Sequence, residues 1–236
     1  MRLLKFFILS FLLIRQISFG DIIRPYDGQK LSYIHILFEW EQEPEVDYYQ
    51  LEISNLLNGA VKIADSLLTT TYVEDEFISF NRSFSWRIRG YNETQGYGTW
   101  IGPNSFTIKR SKLGNVIIDN YIDSLIQPGL TFFGGSNTER YSVILDKTGK
   151  EIWNDGGIDF KINYIDKYGS LFGNSDFDLP NNKACKINYD LEILWSSNEL
   201  VDNHDMKETP WNTYFVMRNV YTDGPIPSNN EMTQQF

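Results

Sequence analysis

The chain has 236 residues, of which 42% are hydrophobic and 22% charged, and its formal net charge is −10. This composition allows one large domain or two small ones, and the acidic balance argues against nucleic acid as a partner because phosphate binding needs a basic surface. The single cysteine, Cys185, excludes an intrachain disulfide framework and a cysteine-based zinc site. With only two histidines, His35 and His204, we expect neither a metal nor another cofactor in this chain.

The first twenty residues have the pattern of a secretory signal peptide. Arg2 and Lys5 precede the apolar run Phe6–Ile14, and small residues precede a cleavage site after Gly20. A short membrane anchor is the alternative, but nine apolar residues are too few to cross about 30 Å of hydrocarbon. We therefore expect residues 1–20 to be removed and the protein to be exported to the periplasm or the extracellular space, without stable membrane insertion.

Beyond residue 20, apolar residues alternate over short runs that are separated by turn residues such as Asn58 and Gly59. Alternation with a period of two, bounded by turns, is typical of strands, and an aromatic content of 15% also favours β structure. The strands predicted in the first half are Ile34–Trp40, Tyr48–Ser54, Phe84–Tyr91 and Asn104–Ile108. The predicted fold class is all-β.

Five segments of the first half follow one another in a recognisable order: Pro25–Gly28, Phe38–Trp40, Asp47–Ile53, Phe84–Tyr91 and Gly96–Trp100. With them, residues 22–109 resemble a fibronectin type III module, which is a two-sheet β-sandwich. In a sandwich alternate residues point inward, so Arg87 and Arg89 face outward, towards acidic neighbours such as Glu39, Glu41 and Glu52. The residues predicted to point inward are Phe38, Trp40, Tyr49, Leu51, Ile53, Phe84, Trp86 and Ile88. The resemblance implies a spacer or a binding platform, with a ligand that the sequence does not identify.

A basic stretch at 109–112 separates this half from one with a different pattern. The hairpin that ends in Trp153 returns 42 residues later in one that ends in Trp195, so that Asp146 matches Asn188, and a further hairpin lies between them. Repeats of 40–50 residues made of short antiparallel strands predict propeller blades. Residues 111–236 suffice for about three blades, whereas closed propellers have at least four. We expect an incomplete β-propeller in a chain truncated at its C-terminus; a self-sufficient small β domain is the alternative.

Five segments of the second half follow one another in a recognisable order: Gln127–Phe133, Val143–Trp153, Glu192–Trp195, Asp202–Met206 and Asn212–Met217. With them, residues 111–236 resemble the beginning of the bacterial aryl-sulfate sulfotransferase family, whose members are exported six-bladed propellers. The resemblance implies transfer of a sulfuryl group from a phenolic sulfate ester to a phenol acceptor, through a covalent histidine intermediate and without a nucleotide donor.

By its order in the chain, His204 matches an early active-site histidine of that family, with an electrostatic or proton-donating role. The resemblance places the nucleophilic histidine and an arginine in later blades, which this sequence lacks, and substrate-binding residues are not identified. Alternatively, His204 is a solvated turn histidine held by Asp202 or Asp205. A second functional hypothesis is a secreted adhesion or ligand-binding protein without catalysis, and a homo-oligomer is left open in either case.

Three other features have simpler interpretations. His35 is expected to face outward from a strand, and Cys185 to be a small buried apolar residue. The spacing of Asn174, Asp176 and Asp178 partly resembles a calcium loop, but Leu179 stands where such a loop needs glycine and Cys185 where it needs glutamate. We therefore do not expect calcium there.

Overall fold

A computed structural model describes residues 20–114, 120, 122–136, 140–175, 183–202, 206–211 and 213–217. In these residues the chain is all-β, as the alternation predicts, and its helical content there is one turn of 3-10 helix, Asp123–Leu125. None of the helical structure in this part of the chain is long and apolar enough to cross a membrane. The predicted signal peptide lies outside the described residues, except for Gly20.

The strands up to residue 108 include all four that alternation predicts. They are β1 (Ile22–Arg24), β2 (Gln29–Leu31), β3 (Ile36–Trp40), β4 (Tyr48–Asn55), β5 (Val61–Leu67), β6 (Thr71–Glu74), β7 (Arg82–Asn92), β8 (Gly96–Tyr97) and β9 (Ile101–Ile108). The first predicted strand begins two residues later than expected, so His35 precedes it, partly exposed between the buried Ile34 and Ile36. The last begins three residues earlier, at Ile101.

The remaining strands follow in short succession. They are β10 (Thr131–Ser136), β11 (Arg140–Leu145), β12 (Glu151–Asn154), β13 (Phe160–Ile165), β14 (Leu171–Ser175), β15 (Lys183–Ile187), β16 (Ile193–Leu200), β17 (Met206–Glu208) and β18 (Tyr214–Val216). They form a three-stranded sheet β10-β11-β12, a four-stranded sheet β13-β14-β15-β16 and the pair β17-β18. Strands that are consecutive in the chain pair antiparallel in each sheet, so this half consists of local hairpins. The described strands do not close into a barrel or a propeller.

The strands of the first half form two sheets, with the orders β1-β3-β6 and β2-β9-β7-β4-β5. The short strand β8 pairs with β7, and β2 runs parallel to β9. In the second sheet, β4 pairs antiparallel with β7 along its whole length, from Tyr48 opposite Tyr91 to Asn55 opposite Phe84.

Contacts between Cα atoms divide the chain into two units. The first unit comprises the residues up to Asp27, Leu37–Val73 and Phe84–Ser105, and the second comprises Gly28–Ile36, Glu74–Ser83 and the residues from Phe106 onward. The predicted domains, 22–109 and 111–236, have different boundaries from these units, and that division stays a prediction.

The core of the first unit consists of the residues that alternation directs inward. All eight of these predicted inward residues are at most 2% exposed, which confirms their assignment. Phe38 and Trp86 meet edge to face with ring centroids 5.0 Å apart, a favourable arrangement for aromatic pairs. The Trp86 indole N–H also donates to the carbonyl oxygen of Pro25 at 3.0 Å, so its polar atom is satisfied although the ring is buried.

The second unit contains all three predicted hairpins. Ile144 pairs with Trp153, and Lys186 pairs with Trp195 in the same relation, while β13 and β14 form the hairpin between them. Trp153 is fully buried, and its indole N–H donates to the carbonyl oxygen of Tyr189 at 2.8 Å. Each predicted repeat therefore corresponds to a strand pair.

Candidate functional site

His204, the predicted catalytic residue, lies outside the described residues, so its role stays a prediction. Two described residues that flank it in the sequence, Val201 and Met206, belong to the core of the second unit. They are buried in one cluster with Phe172 and Ala184. Asp176 and Asp178 of the calcium-like spacing also lie outside the described residues.

The turns of the three hairpins share one hydrogen-bonding pattern. The Oδ1 atom of Asp146 accepts from the backbone N–H groups two and four positions later, at 2.8 and 3.0 Å, and Asp166 does the same at 2.8 and 2.9 Å. Asn188 uses its amide oxygen for the N–H group four positions later, at 2.9 Å. Aspartate and asparagine favour turns because their side chains can bond to the following backbone in this way. These three side chains hold turns, and the match of Asp146 with Asn188 is confirmed.

The fourth position of each turn requires a left-handed backbone. Gly149 and Gly169 adopt φ values of 79° and 82° there, and Leu191 adopts 70°. Glycine takes this conformation without steric cost, whereas a residue with a Cβ atom is strained in it. The third turn thus contains strain that the first two avoid.

Lys186 contacts both a carboxylate and an aromatic ring in this unit. Its Nζ atom lies 3.0 Å from the Asp166 carboxylate and 4.7 Å from the centroid of the Phe172 ring. Burial by itself would lower the pKa of Lys186, but the hydrogen bond and charge of Asp166 outweigh it and raise the pKa. Because Asp166 already balances the ammonium charge, Lys186 is poorly suited to bind a sulfate group.

Two phenols beside this pair lie in ring stacks. Tyr164 stacks on Phe172 with centroids 4.5 Å apart, and Tyr214 stacks on Trp195 at 4.4 Å. Burial, followed by the charge of Glu208, raises the pKa of both tyrosines. Both phenols therefore stay protonated at neutral pH, and their role is packing.

A buried carboxylate anchors the segment of the predicted domain break. Glu151, 7% exposed, accepts hydrogen bonds from the Ser111 hydroxyl at 2.8 Å, from the backbone N–H groups of Lys112 and Leu113 at 3.0 and 2.9 Å, and from the Asn154 amide at 2.7 Å. Hydrogen bonds to a charged acceptor are stronger than those between neutral groups. This cluster is a structural anchor in which the carboxylate is already engaged.

An open cleft of about 500 Å³ lies beside this anchor. Its wall consists of Ile34, Ile78, Ser79, Phe80, Ser111, Gly114, Thr148, Gly149, Lys150 and Glu151. The hydroxyl of Ser111 is bonded to Glu151, and the hydroxyl of Thr148 is bonded to Asp146 at 2.7 Å. Both groups thus serve local structure, and the wall shows no activated nucleophile.

In the described residues, neither the cysteine nor the side chains that commonly bind metals indicate a catalytic or metal site. Cys185 is buried, as predicted, and burial raises the pKa of its thiol to about 12, so the thiol stays protonated and unreactive. Within the described ranges, His, Cys, Asp and Glu side chains form no group of three or more that could hold a metal ion.

In the first unit, polar and aromatic side chains are concentrated on one face of the second sheet. We call this the outer face: it consists of Tyr48, Gln50, Glu52, Asp65, Arg87, Arg89, Tyr91, Tyr97 and Trp100. The strand register explains it, because Tyr48, Gln50 and Glu52 alternate with core residues on β4 and face Tyr91, Arg89 and Arg87 on β7. Directly opposed residues on a sheet lie close enough to interact.

The outer face contains a continuous polar network. Arg89 donates to the Gln50 amide oxygen through Nε at 2.9 Å and also through Nη2. The Gln50 amide nitrogen donates to Asp65 at 3.1 Å, and the Tyr97 hydroxyl lies 3.3 Å from the same carboxylate. Each of these planar groups is held by the others, so the network is preorganised.

The two arginines also alternate with aromatic rings. The Arg89 guanidinium lies over Tyr97 at 4.0 Å and over Trp100 at 4.3 Å, and Arg87 lies over Trp100 at 4.3 Å. Arginine–aromatic contacts of this kind stabilise by about 0.5–1 kcal/mol each at exposed sites. The resulting order is Arg87, Trp100, Arg89, Tyr97.

A tyrosine cluster continues this order. Tyr48 and Tyr91 stack with centroids 4.4 Å apart, and Tyr97 meets Tyr91 edge to face at 5.0 Å. Desolvation, followed by a hydrogen bond with the Tyr97 side chain, raises the pKa of Tyr48. The rings and the polar network thus form one surface.

Sequence reasoning found part of this surface. The outward direction of the two arginines is confirmed, and Arg87 bonds Glu52 at 2.9 Å as expected, but Arg89 pairs with an amide, whereas an acid was expected. The arginine–aromatic stack was missed. Its signal was the spacing of Tyr97 and Trp100, which follow an alternating Arg-x-Arg strand.

In comparisons with known proteins, the chain matches no protein family model, no curated protein and no solved structure.

Proposed function

We propose that this chain is part of an exported aryl-sulfate sulfotransferase-like protein, with a fibronectin type III-like sandwich followed by the first blades of a propeller. The observation that supports it is the recurrence of one hairpin in the second unit. Ile144 opposite Trp153 and Lys186 opposite Trp195 occupy equivalent positions, 42 residues apart, after equivalent turns. Short antiparallel strands repeated at this period are the building units of propellers.

In the proposed reaction, a histidine nitrogen attacks the sulfur of a phenolic sulfate ester, the S–O bond breaks, and the leaving phenolate takes up a proton to become a phenol. The oxygen of a second phenol, which loses its proton, then attacks the sulfur, and the S–N bond to the histidine breaks. Such a reaction needs preorganised cationic groups around the sulfate oxygens. His204 is assigned an electrostatic or proton-donating role there, and the nucleophile is expected in later blades.

The test uses the protein expressed from the whole reading frame that encodes this chain, with 4-nitrophenyl sulfate as donor and phenol as acceptor. We expect release of 4-nitrophenol together with formation of phenyl sulfate. His204→Asn should slow transfer by about 100-fold or more, the size typical of a lost acid–base or electrostatic group. His35→Asn is the matched control and should leave the rate unchanged. An absence of transfer, or equal rates for the two variants, would contradict the proposal.

The second candidate function is a secreted adhesion or ligand-binding protein without catalysis. The preorganised outer face favours it, because aromatic and planar polar groups that are already fixed around the exposed Asp65 and Tyr97 lower the entropy cost of binding. This function needs no residue of the second unit.

A further inference from the structure

We propose that the outer face of the first unit binds neutral polysaccharide chains. The inference rests on the binding function just described and is independent of sulfuryl transfer. A sugar ring presents apolar C–H groups on its faces and hydroxyl groups around its edge. A matching site therefore needs aromatic surface, planar hydrogen-bonding side chains and little net charge.

The tyrosine cluster provides the aromatic surface. Tyr97 is 40% exposed, and its ring is fixed between the Arg89 guanidinium at 4.0 Å and the edge-to-face contact with Tyr91 at 5.0 Å. Aromatic side chains combine a large apolar area with a defined orientation. Since the ring is already fixed, a ligand that packs on it would pay little additional ordering entropy.

The polar network provides hydrogen-bonding groups for hydroxyls. An ionised carboxylate accepts about four hydrogen bonds, and the exposed Asp65 is within bonding distance of three donors, the Gln50 amide, the Tyr97 hydroxyl and the Ser66 backbone N–H, so it keeps acceptor capacity for a ligand. A guanidinium has five N–H donors, and Arg89 bonds Gln50 through two of its nitrogens. Asp65 and Arg89 can thus offer an acceptor and donors side by side to vicinal hydroxyl groups.

The local charge selects a neutral ligand. On this face, Arg87 and Arg89 are balanced by Glu52 and Asp65, whereas the whole chain has a net charge of −10. An anionic polymer would be repelled by the protein as a whole and would find both arginines already bonded. From Tyr48 to Glu52 the face extends roughly 13 Å along β4, at ~3.3 Å per residue, which accommodates more than one sugar ring.

The experiment is affinity electrophoresis of the full chain in native gels that contain laminarin or hydroxyethylcellulose. We expect at least one of these neutral polysaccharides to retard the protein. Tyr97→Ala should weaken binding at least tenfold, and Asp65→Asn, at an exposed position where folding is not at risk, about threefold or more. Tyr26→Ala is the matched control, because Tyr26 is a 58% exposed tyrosine of the same unit outside the outer face.

Near-ultraviolet circular dichroism of each variant shows whether it is folded. If Tyr97→Ala is unfolded, the binding of Asp65→Asn tests the inference. The inference is overturned if neither polysaccharide retards the chain, if the outer-face variants bind like Tyr26→Ala, or if dextran sulfate binds more tightly than both neutral polymers. Loss of sulfuryl transfer with intact sugar binding would overturn the enzymatic proposal alone. Transfer without sugar binding would overturn this inference alone.

Discussion

The two units reach β structure by different routes. In the first, the central pair β4–β7 joins Tyr48 to Tyr91, residues that are far apart in the chain. In the second, Ile144 pairs with Trp153 across a single tight turn, and the other hairpins repeat that arrangement. The first unit therefore depends on a shared aromatic core to select the β4–β7 pairing, whereas in the hairpins of the second unit the turns themselves bring the partners together.

This difference determines where each unit should be most sensitive to substitution. Non-local pairings form only when the burial of apolar residues compensates for the entropy cost of closing a long loop. Local hairpins receive part of their register from turn chemistry. Core substitutions should thus test the first unit, and turn substitutions the second.

The largest effect is expected for Trp86→Ala in the core of the first unit. Trp86 is 1% exposed, contacts Phe38 edge to face and donates to the Pro25 carbonyl. Removing a buried tryptophan leaves a cavity and typically lowers the free energy of unfolding by about 3–5 kcal/mol. Urea denaturation followed by circular dichroism measures the change.

Trp211→Ala is the control for that substitution, because Trp211 is 81% exposed. Its effect should stay within about 0.5 kcal/mol, as for most surface substitutions. A loss below about 1 kcal/mol for Trp86→Ala would show that the core does not select the pairings of the first unit.

A turn substitution in the second unit should have a smaller effect. Gly169 has φ 82°, and a Cβ atom added there would meet nothing within 4 Å, so Gly169→Ala isolates backbone strain from packing. A left-handed alanine should lower the free energy of unfolding by about 1–2 kcal/mol. Thermal denaturation of the variant measures it, and an unchanged midpoint would mean that the turn does not hold the hairpin.

Replacing a residue that has a Cβ atom by glycine should stabilise the third turn. Leu191 adopts φ 70° where the other two turns have glycine. Leu191→Gly removes the strain and Leu191→Ala retains it, while both remove the side chain. The glycine variant should exceed the alanine variant by about 1 kcal/mol in the free energy of unfolding. Equal stability of the two variants in urea would refute the strain.

The all-β class, the inward residues and the tight turns were predictable because they are encoded locally. Alternation identified the inward residues Phe38, Leu51 and Trp86, and the spacing of Asp146 and Gly149 identified a tight turn. The pairing of the Gly28–Ile36 segment within the second unit was not predictable. Ser32 accepts from the N–H of Asn154 at 2.9 Å, and no local pattern in the sequence signals a contact at that separation.

The candidate surfaces were less predictable than the strands. That Arg87 and Arg89 face outward follows from alternation, but their stacking on Trp100 depends on where the chain returns after β8. Side-chain partners across a sheet depend on register, and register is set by the whole core. The partner of Lys186 could not be predicted for the same reason, because its ion pair with Asp166 joins two different hairpins.

The smallest expected effect is a pH dependence of stability. It arises from Asp166 in the second turn and is not expected from Asn188, its equivalent in the third. Burial alone would raise the pKa of Asp166, but hydrogen bonds from the Ser170 and Tyr168 backbone and the bond to Lys186 together lower it below its ordinary value of 3.8. A carboxyl group whose pKa is lower in the folded state stabilises the fold above its unfolded-state pKa. That contribution is lost as the pH falls from about 4 through the folded-state value.

Asp166→Asn makes the second turn like the third, where Asn188 occupies the same position. The variant should be slightly less stable than the parent at pH 7, and the difference should shrink as the pH falls below about 4, because the parent then loses its charged acceptor. Thermal midpoints of both proteins from pH 7 to pH 2.5 measure this. A difference that stays constant over this range would mean that Asp166 acts through hydrogen-bond geometry alone. In that case its charge would contribute no stability, and the difference between the aspartate and asparagine turns would not be electrostatic.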